Sequence, residues 1–192
     1  MSSTDRSGER VRDAERTRRA VLEAAHRLVT TRGAGVSMAD VAEAAGVTKG
    51  GLTHHFKSRD ELLAALVAHV VERSWEELMA HVDITENGPG KFARAYVRAL
   101  TGGSAAAADV YSTTGLIAHL GAEVGLEHLE SLAPDDSQRL NAAFEADGLP
   151  LPVAWVVRYA AEGLALSLGT NYLTETQLDV AREELLALTR LD

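Results

Sequence analysis

Residues 37–56 read Ser37-Met38-Ala39-Asp40-Val41-Ala42-Glu43-Ala44-Ala45-Gly46-Val47-Thr48-Lys49-Gly50-Gly51-Leu52-Thr53-His54-His55-Phe56. Ser37 has the side chain of a helix cap, and Asp40 adds negative charge where the helix dipole favours it. The short helix this predicts carries Met38, Val41, Ala42 and Ala45 on one side. It ends at Gly46, a residue that readily takes the left-handed conformation of a sharp exit. Thr48 is a second cap, for a helix over Lys49 to His55. Ser58-Arg59-Asp60-Glu61 then matches a capping box and predicts a long helix from Arg59 to about Val82. Leu63, Leu66, Val67, Val70, Trp75, Leu78 and Met79 of that helix are available to a core.

Two short helices joined by a tight glycine turn have the dimensions of a helix-turn-helix, whose second helix enters the DNA major groove. The second helix here has Leu52 and Phe56 four apart, able to pack inward, which leaves Lys49, Gly50, Thr53 and His54 facing outward. Each interior glycine disfavours a helix by roughly 1 kcal/mol against alanine. A surface helix with Gly50 and Gly51 side by side therefore suggests a backbone that approaches something closely. Beside a helix N-terminus and Lys49, phosphate and base edges fit that description. His54-His55 does not read as a metal site, because neighbouring helical residues point about 100° apart and no third ligand is close in sequence.

Outward from this segment the chain reads as all-α. Ala and Leu dominate, only 4 Pro occur, and no alternating β-branched run is long enough for a sheet. A first helix is predicted from near Asp13 to Thr31 on the spacing of Val21, Leu22, Ala25, Leu28 and Val29, with Arg32-Gly33 as its stop. Residues 1–12 are then a polar, mobile arm. After the loop Asn87-Gly88-Pro89-Gly90, periodic segments fall at 91–101, about 104–120, 126–146 with a break at Pro134, 152–172 and 175–190, giving about nine helices in total.

The chain of 192 residues has a formal net charge of −9, which argues against a simple nucleic-acid binder. Its distribution reverses that inference. Residues 1–60 hold 11 basic and 8 acidic side chains, a net +3, and the remaining 132 hold 8 and 20, a net −12. A basic module joined to an acidic body is a pattern for anion binding at one end. The absence of Cys excludes disulfides and thiolate chemistry and fits a reducing cytoplasm. No stretch approaches the ~18 apolar residues of a membrane span. Neither a GxSxG elbow, a P-loop, an HExxH motif nor a GxGxxG motif after a strand is present, so no catalytic residue is assigned.

Residues 18–67, RRAVLEAAHRLVTTRGAGVSMADVAEAAGVTKGGLTHHFKSRDELLAALV, resemble the DNA-binding domain of the TetR/AcrR family of bacterial transcriptional regulators over about a quarter of the chain. By that resemblance, Ser37 to Ala45 is the second helix of the domain, Thr48 to His55 the recognition helix, and Ser58 opens the helix leading to a regulatory domain. Thr48, Lys49, Gly50 and Gly51 match the family's base and phosphate contact positions, and His54, His55 and Lys57 match positions at or beside backbone contacts. Ser37, Met38 and Thr53 complete the DNA-binding set. Most members have Tyr where this chain has Thr53, and that Tyr reaches a phosphate; a threonine hydroxyl offers a hydrogen bond over a shorter reach. Gly51 stands where Thr, Ser or Ala is commoner.

In the acidic body, Trp75, Phe92, Tyr96, Tyr111, Trp155 and Tyr159 are candidates to line a ligand cavity. Val153, Val157, Ala160, Leu164 and Leu168 form another apolar face of the helix that carries Trp155, and Leu178, Ala181, Leu185 and Leu188 a stripe on the last helix. The resemblance implies that these last two long helices build a four-helix interface between subunits, so the stripes are assigned to a dimer. The sequence thus predicts an N-terminal arm over 1–12, a helix-turn-helix domain over 13–57 and a ligand-binding and dimerisation domain over 58–192. The implied protein is a homodimeric cytoplasmic regulator without cofactor, metal or membrane partner. It is expected to be a repressor released from a pseudo-palindromic DNA operator by a small-molecule effector. Alternatives are an activator of the same fold, or a small-molecule-binding protein that keeps the helix-turn-helix as scaffold.

Overall fold

The computed structural model describes residues 3–33, 35–102 and 135–190. They contain eight helices and no strand: α1 (Ser3–Arg32), α2 (Met38–Ala44), α3 (Lys49–His55), α4 (Arg59–Ala80), α5 (Lys91–Thr101), α6 (Asp136–Ala146), α7 (Leu151–Ser167) and α8 (Glu175–Leu188). The helix expected over about 104–120, the start of the one expected over 126–146, and Tyr111 lie outside the described residues. None of the described helices is long and apolar enough to cross a membrane. The chain divides into two compact units, with the described boundary inside α4 between Val70 and Val71. The sequence placed the boundary at the start of that helix.

The first unit is built on local signals. Ser37 caps α2 by accepting the Asp40 backbone N–H at 3.2 Å, while the Asp40 carboxylate accepts the Ser37 N–H at 2.9 Å. Gly46 leaves the helix at φ 67°, and the Val47 N–H returns to the Ala42 carbonyl at 2.9 Å. Val21, Leu22, Ala24, Ala25 and Val29 of α1 are buried with Val41, Ala42, Leu52, Phe56, Leu62, Leu63, Leu66, Val67 and Val70. α1 departs from expectation: it begins at Ser3, so most of the segment expected as an arm is helical. The first ten residues of this helix have no apolar periodicity to announce it, yet they contain no proline. Local bonds support the turns that follow, among them Arg12 Nε to the Gly8 carbonyl at 3.2 Å and the Arg16–Asp13 ion pair at 3.0 Å.

In the second unit α5 is the central element, with Phe92 to Val97 and Ala99 to Thr101 all buried. It packs chiefly on α7, which turns Ala154, Val157, Ala161 and Ala165 inward. Three of those four are alanines, and side chains that small let two helix backbones come close. α7 ends at Ser167, five residues before the expected end, where Leu168 leaves the helix in an extended conformation ahead of Gly169.

The start of α5 has no cap of its own. Its N-cap residue is Gly90 at φ 84°, and the missing acceptor comes from Asp147, 55 residues later in sequence than Phe92. The Asp147 carboxylate accepts the Phe92 N–H at 2.6 Å and the Ala93 N–H at 2.9 Å, and the Asp147 carbonyl accepts the Gly90 N–H at 3.0 Å. A Cβ on Gly90 would lie 2.3 Å from the Thr189 carbonyl oxygen, so only glycine admits the close approach of the chain after α8. Arg94, also buried, donates to that Thr189 carbonyl at 2.7 Å, to the Pro89 carbonyl at 3.0 Å and to Glu86 at 2.6 Å.

Asp147→Ala leaves two helix-start N–H groups without their acceptor, and loss of a cap of this kind is worth about 1–2 kcal/mol. Urea unfolding is expected to show that loss, with Asp147→Asn, which keeps one acceptor oxygen, falling between the alanine variant and the parent chain. Equal stability of all three would exclude the cap.

Candidate nucleic-acid interface

α3 is fixed from below. Leu52 and Phe56 are both 0% exposed, and the Arg18 guanidinium of α1 lies 4.7 Å from the centre of the Phe56 ring. With that side committed, Thr48, Lys49, Gly50, Thr53 and His54 are exposed, together with Lys57 just beyond the helix, and Gly51 and His55 are half-buried. Ser37 is exposed at the start of α2 and Met38 half-buried beside it. The DNA-binding candidates of α3 and Lys57 therefore cluster around one short helix, whereas Leu52 alone of its residues is fully buried.

Each outward group has a definite local setting. Thr48 caps α3 by accepting the Gly51 N–H at 3.0 Å. Gly50 and Gly51 have φ in the ordinary range, so neither is demanded by backbone conformation. A Cβ at Gly50 would come no closer than 4.0 Å to any atom outside its own turn, and at Gly51 it would meet the Thr48 hydroxyl at 3.3 Å. Nothing inside the protein requires position 50 to be bare.

The Thr53 hydroxyl donates to the Lys49 carbonyl at 2.7 Å. Its proton is thus engaged within the helix in the unbound chain. Lys57 is likewise part of the helix end. Its Nζ lies 3.3 Å from the Thr53 carbonyl and 3.4 Å from the His54 carbonyl, placing a cation at the negative pole of α3. Its backbone N–H donates to Glu61 at 2.7 Å. The capping box expected from Ser58 and Glu61 is therefore shifted by one: the Glu61 N–H does donate to Ser58 at 3.1 Å, but the Glu61 carboxylate reaches Lys57 instead of Ser58. The His54 and His55 rings meet edge to face at 5.4 Å. Burial, and then the positive neighbours His54, Arg18 and Lys57, hold the His55 pKa below its ordinary value.

The body residues sort differently from expectation. Trp75, Phe92 and Tyr96 come together, and Phe144, which is not among the sequence candidates, joins them. Phe92 and Tyr96 both meet Phe144 edge to face at 5.1 Å, and Trp75 stacks on Phe92 at 6.0 Å. Polar groups hold the rim of this cluster: Trp75 Nε1 donates to Asp136 at 2.9 Å, and the Tyr96 hydroxyl donates to Glu162 at 2.8 Å. Burial and the adjacent Glu162 carboxylate raise the Tyr96 pKa well above that of a free phenol.

Trp155 and Tyr159 do not belong to the cluster. They are 52% and 62% exposed, on α7 with the exposed Leu151, Val156 and Leu166. Conversely Val157, Leu178 and Leu185, expected as interface residues, are buried within their own unit, and Val153, Ala160, Leu164, Leu168 and Ala181 are half-buried. Of that interface set Leu188 is the exposed member, beside Val180 at 58% on the same helix. Two apolar faces on α7 are legible in the sequence, but the line that α5 covers, Ala154, Val157, Ala161 and Ala165, shares only Val157 with either of them. The face of small residues turns inward because α5 packs there, and the aromatic face is left outside.

A family model described as bacterial regulatory proteins, tetR family, matches residues 21–66, and one described as tetracyclin repressor-like, C-terminal domain, matches residues 90–190. The HTH-type transcriptional regulator TtgR of Pseudomonas putida is 45% identical over 56 residues, 29% of this chain and 27% of that protein. The alignment thus spans about a quarter of this relative. Among solved structures, a member of the TetR family from Streptomyces coelicolor A3 is 26% identical with a TM-score of 0.65, covering 91% of this chain and 99% of that one. The multidrug binding protein EbrR, complexed with imidazole, is 25% identical with a TM-score of 0.62 over 91% of this chain and 90% of its own.

Because the fold favours neutral His55, the unfolded chain takes up a proton that the fold resists as pH falls below about 6.5. Stability is therefore lost on acidification through that range. Urea titrations at pH 7.5 and 5.5 should show a smaller loss in His55→Gln than in the parent chain. The same loss in both would mean that the fold does not favour the neutral form of His55.

Proposed function

Since the chain belongs to the tetR family of bacterial regulatory proteins, we propose that it is a homodimeric, sequence-specific DNA-binding regulator of transcription whose recognition element is α3. The observation that carries this reading is the outward face of α3, with Lys49 exposed at the helix start and Gly50 bare without internal cause. A bare backbone admits a phosphate or base edge at contact distance, the helix N-terminus supplies N–H donors, and Lys49 adds a charge at the same end. The two recognition helices of a dimer read half-sites of a pseudo-palindrome separated by one or more turns, ~34 Å each. Operator contacts fall to Thr48, Lys49, Gly50, Gly51, Thr53 and His54, with Ser37, Met38, His55 and Lys57 at the margin.

The dimer is assigned to the aromatic outer face of α7 and to Val180 and Leu188 of α8. Apolar groups of this size, exposed in one subunit, are the surface that an isologous partner covers. Regulation is assigned to a small-molecule effector bound in the second unit, near Trp75, Phe92 and Tyr96. The related protein EbrR is described as multidrug binding, which supports an apolar, aromatic-lined site. Effector and operator then select different conformations of the dimer, and each weakens the other by the same factor. The regulator is a repressor in this reading, working in the cytoplasm where its operator lies.

Replacing Lys49 by Ala removes one phosphate contact. Gel-shift titrations over a range of salt should give weaker operator binding and a log–log salt slope shallower by about one unit. Unchanged affinity and slope would remove Lys49 from the interface. For the subunit interface, Trp155→Glu places a charge on the outer face of α7. Sedimentation is expected to find a dimer for the parent chain at micromolar concentration and a monomer of about 20.5 kDa for the variant. A monomeric parent chain would overturn the interface.

A further inference from the structure

The second unit is acidic overall, yet it contains a cleft of the opposite sign. Glu86, Gly88, Pro89, Arg94, Arg98 and Arg190 line an open cleft of about 310 Å³ between the loop before α5, the outer side of α5 and the end of α8. Three guanidinium groups there face one carboxylate. Glu86 is shared between two of them, at 2.6 Å from Arg94 Nε and 3.4 Å from Arg98 Nη2. Its pKa is lowered, burial opposing and the two arginines prevailing. The remaining bonds of Arg94 go to the neutral carbonyls of Pro89 and Thr189, which orient it without cancelling its charge. Arg190 is exposed and makes no ion pair among the described residues. Glu86 is the one carboxylate among the lining residues, while Asp147 and Asp83 act on Arg94 and Arg98 from outside the cleft, so the guanidinium excess is confined to the lining itself.

The fold fixes the Arg94 guanidinium and the backbone that leads to Arg190. Arg94 is buried and bound at three points, and the chain carrying Arg190 is held against Gly90, where no Cβ fits. Guanidinium forks converging on one cleft over a fixed charged floor suit carboxylate and phosphate oxygens. We propose that this cleft binds a small dianionic oxyanion, a phosphate group or a dicarboxylate, gripped by Arg98 and Arg190 with Arg94 as the fixed positive floor. The lining sets three guanidinium groups against one carboxylate, an excess that suits an oxyanion, and Glu86 is its internal competitor for Arg98. The site lies within the second unit and makes no use of α3, so it stands or falls separately from the DNA-binding reading.

Isothermal titration of the full chain with inorganic phosphate and, separately, with succinate tests the site against sodium chloride at matched ionic strength. At least one dianion is expected to bind saturably, and the one that binds tells phosphate from carboxylate chemistry. Arg98→Ala and Arg190→Ala should each weaken it about tenfold or more, as loss of a charge-assisted hydrogen bond does. Glu86→Gln should tighten it, a gain that damage to the fold does not produce. The Arg190 side chain has no ion-pair partner among the described residues, so its variant keeps the test sound if Arg98→Ala unfolds by circular dichroism. Heats that follow ionic strength alone, or affinity unchanged in Arg190→Ala, would overturn the proposal.

Discussion

The inward packing of Leu52 and Phe56 is the contact on which the functional end of the molecule depends. A seven-residue helix is too short to persist by its own hydrogen bonds. α3 exists because both its ends are occupied: Thr48 supplies a cap at one, and Leu52 and Phe56 bury themselves toward the other. Once those two side chains are committed, the helical repeat dictates what faces out. Lys57 and Glu61 then tie the helix end to the first turn of α4, so that the outward face of α3 is held from both ends as well as from below.

The second unit solves a different problem. α5 is surrounded, and a surrounded helix must find partners for its terminal N–H groups within the protein. Asp147 serves the start of α5, and Arg94 ties the loop before it to the chain after α8. These contacts join segments 55 and 95 residues apart. They also explain why a buried arginine is tolerable there. Its charge is met by Glu86 at 2.6 Å and its Nη1 donors by the Pro89 and Thr189 carbonyls, which offsets the cost of burying it.

What is legible in the sequence follows from how local each cause is. The caps at Ser37, Thr48 and Ser58 and the exit at Gly46 act within four or five residues, and they stand in the structure where the sequence puts them. The inward turn of α7 depends on which neighbour arrives. Periodicity finds an aromatic and an aliphatic face, and the approach of α5 decides that a line between them, Ala154, Ala161 and Ala165, goes in while Trp155 and Tyr159 stay out. The inward alanines at spacings of four and seven residues are the available signal, outweighed by the size of the aromatics. Asp147 and Phe144 carry no local mark of their roles, because each acts on a helix about 50 residues upstream. The early start of α1 is hidden for the opposite reason: a polar helix has no apolar stripe to reveal it.

Gly50 has a consequence for the balance between durability and use. Alanine at that position would come no closer than 4.0 Å to the Thr48 hydroxyl in the free protein and favours a helix by up to roughly 1 kcal/mol. The isolated chain is therefore less stable than its own backbone allows, at a place where the deficit touches no internal contact. Any search for variants that keeps only the most heat-resistant molecules will fill position 50. Robustness and the bare surface of α3 are thus set against each other in a single missing methyl group.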